Sequence, residues 1–355
     1  MEDREISDIL IRWYEENKRD LPWRRTSDPY LIWISEIILQ QTRVVQGLEY
    51  FNRFTERFPD VAALARADED EVMKYWQGLG YYSRARNLHA AARQIMNDFS
   101  GVFPRTREEV LSLKGIGDYT AAAICSFAYR LPYATVDGNV FRVLARLFDI
   151  DLPIDGGEGK KYFTALAQSL LDERRPDLFN QAMMEFGALQ CVPKSPDCEH
   201  CRLNGTCLGA ARQVERLPVK SGKTVVKPRY FNYLYIHGQG MTLLFKRTGN
   251  DIWRNLYEFP LIETERAVTW EELSGMAVFQ ELFDGIEKVE ITREYVAKKH
   301  VLSHRVIFPV FYEIRIDSFS RSMGKYLKVP DDRVGEYAVS RLIQSYLEVR
   351  DGLLF

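Results

Sequence analysis

Four cysteines fall within seventeen positions of this chain: Cys191, Cys198, Cys201 and Cys207, spaced C-x6-C-x2-C-x5-C. No other feature limits the fold so tightly. The N-terminus, Met1-Glu2-Asp3-Arg4-Glu5, lacks the apolar run of a signal peptide, so a reducing cytoplasm is the expected setting. Four thiols in one short loop there argue for a metal site and against disulfides. Pro193, Pro196, Asp197, Asn204 and Gly205 supply the turns that bend a chain around one cofactor. A cysteine-only zinc site is the alternative. Zinc ribbons usually carry two C-x2-C knuckles. Here one C-x2-C stands between wider spacings, which favours a [4Fe–4S] cluster. The fifth cysteine, Cys125, lies in Ala-Ala-Ile-Cys-Ser-Phe-Ala and reads as a small buried residue.

The loop also divides the chain. At 355 residues the sequence is longer than one hydrophobic core usually serves. Before the loop, apolar residues recur at helical spacing over 6–14, 30–45, 61–67, 70–76, 83–99, 107–113, 119–127, 140–148, 162–171 and 176–189. Beyond it, residues 209–228 form a basic linker with Arg212, Arg216, Lys220, Lys223 and Lys227. Strand patterns follow. Segments 230–236 and 241–246 flank His237-Gly238-Gln239-Gly240 as a hairpin, and Val306, Phe308, Val310, Tyr312, Ile314 and Ile316 alternate strictly. Helical patterns fall at 269–279 and 339–347. The expected fold class is therefore a mainly α region at 1–208 and an α+β domain at 229–355. Charged residues interrupt every apolar stretch, so no membrane span or membrane partner is expected. Forty-eight basic against 50 acidic residues do not announce a nucleic-acid binder, but local patches decide such binding.

Three segments in the helical region carry chemistry. In Leu113-Lys114-Gly115-Ile116-Gly117-Asp118-Tyr119, two glycines flank one apolar residue between helices. Gly115 and Gly117 let backbone approach a phosphate at a helix N-terminus, with Ile116 as the plug. An ordinary glycine-capped corner has the same pattern. Glu36 is the only charged side chain between Pro29 and Arg43. A carboxyl among apolar neighbours keeps its proton and suits a general acid, although Glu36 lies off the Ile34–Ile37–Ile38 stripe, where a solvated residue would sit. Asp137, before Gly138 and a helix, reads first as an N-cap. Two carboxyls with divided roles, acid and electrostatic stabiliser, also serve to break a glycosidic bond.

Together these segments resemble the adenine DNA glycosylase family (MutY), helix-hairpin-helix proteins related to endonuclease III. The stretches that carry the resemblance are Leu21-Pro22-Trp23-Arg24, Ser35-Glu36 through Leu39-Gln40-Gln41-Thr42, Gly78-Leu79-Gly80-Tyr81-Tyr82-Ser83-Arg84-Ala85-Arg86-Asn87-Leu88, the glycine hairpin, Asp137-Gly138-Asn139-Val140, Phe179-Asn180-Gln181-Ala182 and the cysteine loop. The resemblance implies two helical lobes with a [4Fe–4S] loop and a Nudix-like C-terminal domain. It implies that Glu36 protonates adenine, that Asp137 stabilises an oxocarbenium-like sugar and that Tyr119 assists. Gln41 and Tyr81 would insert into the duplex while the base is turned out. Arg24, Arg84 and Arg86 would lie at the DNA. The partner implied is double-stranded DNA with an 8-oxoguanine:adenine mispair, bound by a monomer, associated with the nucleoid in a bacterium. Lyase relatives carry lysine where this chain has Tyr119, and Lys114 falls before the hairpin, so base excision without efficient strand cleavage is expected. In the second domain, Trp253-Arg254-Asn255-Leu256-Tyr257-Glu258-Phe259-Pro260 is the best local match. The glutamate-rich metal helix of Nudix hydrolases is missing after Pro260. A Phe-Ser-His loop that probes 8-oxoguanine in the family reads Leu302-Ser303-His304 here, with an aliphatic wedge in place of an aromatic one.

Overall fold

A computed structural model describes residues 3–211, 214–222, 226–302 and 304–352. The chain forms two compact units, Met1–Arg66 with Asn87–Gly222, and Ala67–Arg86 with Lys223–Phe355. As the sequence predicts, the first is helical and the second is α+β.

The helical unit contains α1 (Asp3–Asn17), α2 (Pro29–Leu39), α3 (Val44–Arg57), α4 (Val61–Arg66), α6 (Ser83–Asp98, shared with the second unit at its start), α7 (Arg107–Ser112), α8 (Asp118–Tyr129), α9 (Gly138–Leu147), α10 (Gly157–Leu170) and α11 (Pro176–Leu189). Helix α2 starts where Asp28 accepts from Tyr30 N and Pro29 takes the first position. It is buried on every side, from Ile32 through Ile38, as only an inner helix is. The pattern at 30–45 suggested one helix, but the chain breaks after Leu39. Gln41 sits in the left-handed region at φ 58°, and α3 begins at Val44. The break lets α3 return against α2 at Gly47, where an added Cβ would stand 2.8 Å from Leu39. One core joins α1, α9, α10 and α11 through Leu10, Val143, Phe163, Phe179 and Phe186, and packs against Cys191, Cys201 and Cys207.

The second unit holds α5 (Glu69–Trp76) and an eight-stranded sheet: β1 (Lys227–Gly238), β2 (Met241–Lys246), β3 (Tyr257–Glu258), β4 (Leu261–Thr264), β5 (Val289–Val296), β6 (His300–Val301), β7 (Arg305–Ile316) and β8 (Leu327–Pro330). Strand β1 pairs parallel with β7 from Lys227↔Arg305 to His237↔Arg315. The β1–β2 hairpin turns through Gln239 and Gly240, both at positive φ, which matches strand twist. The expected helix at 269–279 is two short ones, α12 (Trp270–Ser274) and α13 (Ala277–Leu282), because α12 ends at Gly275. Helix α14 is Arg341–Arg350. Leu234, Ile236, Leu243, Ile314, Phe279 and Phe283 build this unit's core. Among the described residues no helix is long and apolar enough to cross a membrane.

Candidate active site

The site grows from three helix termini in the helical unit. Helix α2 carries Glu36 inward, 7% exposed. Helix α8 opens after the hairpin and carries Tyr119, whose hydroxyl donates to Glu36 Oε2 at 2.8 Å. Helix α9 is capped by Asp137, which accepts from Asn139 N at 2.9 Å and Val140 N at 2.8 Å, and from Asn139 Nδ2 at 2.8 Å. All three side chains line one open cavity of about 1100 Å3, together with Gln41, Arg24, Gly117 and Met184. That volume admits a nucleobase and its sugar.

The two carboxyls sit in different surroundings. Burial pushes Glu36 up to about 7, helped by the charge of Asp137 and opposed by the Tyr119 hydrogen bond and by Arg24. Burial also raises Asp137, but its bonds from Val140 N and Asn139 favour the charged form. Tyr119, raised by burial and by both carboxyls, stays a neutral phenol. Glu36 near neutral pH can thus hold and release a proton, while Asp137 keeps the donors a carboxylate needs.

The hairpin matches its sequence pattern. Ile116 is buried, while Gly115 and Gly117 face solvent. Gly115 lies at φ 79°, and a Cβ there would fall 2.5 Å from Asn87. Gly117 caps α8 with open space around it.

The four cysteines line a second, smaller pocket beside Phe186 and Leu203. Leu203 N donates to Cys201 Sγ at 3.4 Å, and Arg146 to Cys191 Sγ at 3.5 Å. Burial raises the Cys198, Cys201 and Cys207 thiols, and the neighbouring sulfurs add to the rise. Among the described residues, no three His, Cys, Asp or Glu side chains converge as they would on a single metal ion.

Other expected site residues have structural engagements. Arg24 forks onto Glu185 at 2.8 and 2.7 Å, and Arg19 joins it there. Arg84 is buried in its own loop, donating to Leu79 O and Gly80 O and lying over the Trp76 and Tyr81 rings. Arg86 donates to Arg254 O at 2.8 Å. Gln41 is exposed at the α2–α3 turn, and Tyr81 is half exposed at φ 46°. Leu302 and His304 flank the β6–β7 turn, where Leu302 N donates to Arg305 O. Ser303 lies outside the described residues.

Four supporting residues have roles that sequence reasoning missed. Glu185, 1% exposed, is held near 2 by Arg24 and Arg19 against the cost of burial. Asn180 accepts from Thr135 N and donates to Tyr133 O, fixing the irregular segment that leads to Asp137. Arg142 ties Asn139 Oδ1 to Gly187 O and Cys191 O. Arg146 donates to the carbonyls of Val192, Pro193, Val214 and Leu217 around the cysteine loop. Asn180 lay within a family stretch, but buried arginines and glutamates look like surface residues in sequence.

The chain is similar to known proteins in both units. Residues 34–167 match the family described as HhH-GPD superfamily base excision DNA repair protein, and residues 232–349 match the NUDIX domain. An adenine DNA glycosylase of Buchnera aphidicola subsp. Baizongia pistaciae is 33% identical over 324 residues, covering 88% of each chain. The Homo sapiens adenine DNA glycosylase is 39% identical over 62% of this chain and 42% of its own. Among solved structures, a thermostable thymine-DNA glycosylase superposes with a TM-score of 0.55 at 30% identity, over 59% of this chain and 97% of that one. A trapped endonuclease III–DNA complex shares the fold, with a TM-score of 0.52 at 21% identity, over 59% of this chain and 98% of that one.

Proposed function

The chain belongs to the adenine DNA glycosylase family of helix-hairpin-helix base excision repair proteins, and we propose that it removes adenine mispaired with 8-oxoguanine or guanine without cutting the strand. It is an adenine-specific DNA N-glycosylase, and duplex DNA is its partner. The observation that carries the finer reading is the pair of unlike carboxyls, Glu36 and Asp137, in one cavity with the Tyr119 phenol.

Adenine turned into that cavity meets Glu36 carrying a proton near neutral pH. Transfer of that proton to a ring nitrogen makes the base a better leaving group, worth about 10²–10⁴-fold. As the N-glycosidic bond breaks, positive charge grows on the sugar, and the N-capped carboxylate of Asp137 faces it. Tyr119 holds Glu36 in place by its hydrogen bond and offers no amine for a Schiff base, so water adds to the anomeric carbon as adenine leaves, loses a proton, and an abasic sugar stays in the uncut strand.

Gln41 and Tyr81 each insert into the duplex while the base is turned out. The 115–117 hairpin turns backbone and the α8 N-terminus toward a phosphate. Leu302, Ser303 and His304 read the opposite base. Arg24 and Arg84 act from behind, shaping the cavity wall and the Tyr81 loop.

The four thiols line one pocket, and a single C-x2-C between wider spacings suits a [4Fe–4S] cluster better than zinc. Cys191, Cys198, Cys201 and Cys207 would hold a [4Fe–4S] cluster, and what it supplies is a cross-link that fixes the loop against α9 and α11. The protein is taken to act as a monomer in the cytoplasm.

The test is single-turnover excision with adenine opposite 8-oxoguanine, guanine, cytosine and thymine, with borohydride present in parallel. Adenine release fastest opposite 8-oxoguanine, and no covalent adduct, is expected. A trapped adduct, or indifference to the opposite base, would overturn the reading.

A further inference from the structure

The loop bearing Tyr81 is short and unusually bent. Gly78, Gly80 and Tyr81 all lie at positive φ, at 98°, 72° and 46°. A tyrosine in the left-handed region is strained and stays there only when its surroundings hold it. Part of the hold is internal. Trp76 Nε1 donates to Gly80 O at 3.2 Å, and Arg84 donates to Leu79 O and Gly80 O.

The rest comes from strands and turns some 160 to 260 residues further along the chain. Before the loop, Asp70 on α5 accepts from Lys246 at the end of β2 at 2.5 Å and from the Tyr257 hydroxyl at 2.9 Å. Its neighbour Glu69 accepts from Asn255 Nδ2 at 2.5 Å. At the end of α5, Lys74 donates to Tyr337 O, and Gln77 accepts from Val339 N. After the loop, the buried Tyr82 donates to Val339 O at 3.1 Å, and Arg86 donates to Arg254 O. Both ends of the loop are therefore anchored to the Nudix-like unit, and the segment Ala67–Arg86 belongs to that unit by its contacts.

We propose that Asp70 is a positioning residue for base extrusion: by tying α5 to Lys246 and Tyr257 it lets the Nudix-like unit set the posture of Tyr81. The inference rests on the reading of Tyr81 as a residue that enters the duplex. A unit that carries both the opposite-base loop and the anchors of the inserting tyrosine would move them together. Asp70 and Lys246 are partly exposed, so the tie is one of several and its loss is graded.

The experiment is a double-mutant cycle on the full, iron-loaded chain, reading the single-turnover rate of adenine release from an 8-oxoguanine:adenine duplex. Asp70→Ala should slow release about two- to fivefold, a range set by the modest strength of a half-exposed pair. Tyr81→Ala should slow it further. The double variant should be no slower than Tyr81→Ala alone, because Asp70 acts through that side chain. Tyr257→Phe removes one hydroxyl from the other side of the tie and should reproduce the non-additivity, which keeps the test valid if Asp70→Ala folds poorly. Multiplying effects in both cycles would overturn the inference while leaving the role of Tyr81 intact. A Tyr81→Ala protein as fast as the parent would overturn both, and the two failures are thus distinguishable.

Discussion

Replacing Glu36 by glutamine removes a charge that the fold resists, and its effect on stability should depend on pH in a defined direction. The carboxyl moves from 4.5 in the open chain to about 7 in the fold, chiefly by burial. Below 4.5 it is protonated in both states and contributes no difference. As pH rises from 4.5 to 7 the unfolded chain gives up this proton and the folded chain keeps it, so stability falls. Above 7 the whole difference is expressed, about 3 kcal/mol at about 1.4 kcal/mol per pH unit. Glutamine is neutral throughout and can still accept from Tyr119. The variant should therefore match the parent near pH 4.5 and exceed it at pH 8. For a unit of this size about 3 kcal/mol corresponds to roughly 6–12 °C in Tm. Differential scanning calorimetry of both iron-loaded proteins from pH 5 to pH 8 reads the gap. A Tm difference that stays flat across that range would refute a proton held by burial at position 36.

Tyr119→Phe deletes the hydrogen bond that favours charged Glu36, so the alkaline limb of the rate profile should move to higher pH; a limb that stays in place would show that the phenol does not tune the acid. Glu185→Gln leaves Arg19 and Arg24 without a carboxylate and should cost about 3–5 kcal/mol of stability at neutral pH by chemical denaturation. The depressed value near 2 means that this contribution is present above 4.5 and fades as pH falls toward 2. Gly187→Ala would place a methyl 2.6 Å from the Cβ of Asn139, displacing the residue whose N–H groups hold Asp137, and excision should drop more than ten-fold (about 10²-fold for a misplacement near 1 Å) with the second unit unaffected by circular dichroism. Arg146→Met removes donors to Cys191 Sγ, to the loop carbonyls of Cys191, Val192 and Pro193, and to those of Val214 and Leu217, and iron per chain in the purified protein should fall below the parent's; equal iron would contradict the bracing role.

Helix positions before the cysteine loop were legible because a 3.6-residue period survives wherever one face is buried. Helix α3 was not, since Val44 and Val45 extend the α2 pattern and only the left-handed Gln41 interrupts it. Glu36 illustrates the limit of periodicity. Lying off an isoleucine stripe suggests water, yet α2 is enclosed on all sides and the carboxyl is buried. Asp137 is both of the things its sequence suggested, a cap and a cavity residue, since capping uses one oxygen and leaves the group facing the pocket. Strand β5 escaped notice because most of its side chains are exposed and carry no alternation. The allegiance of 67–86 to the second unit was also hidden, because an amphipathic helix shows that it packs but not against which core.

The central claim is that one buried acid delivers the proton that frees adenine. Single-turnover release from an 8-oxoguanine:adenine duplex, parent against Glu36→Gln, tests it most directly, with equal iron content and duplex affinity checked first. The account predicts that the variant binds the duplex but loses at least about 10²-fold in rate. Release by the variant at the parent's rate would contradict it.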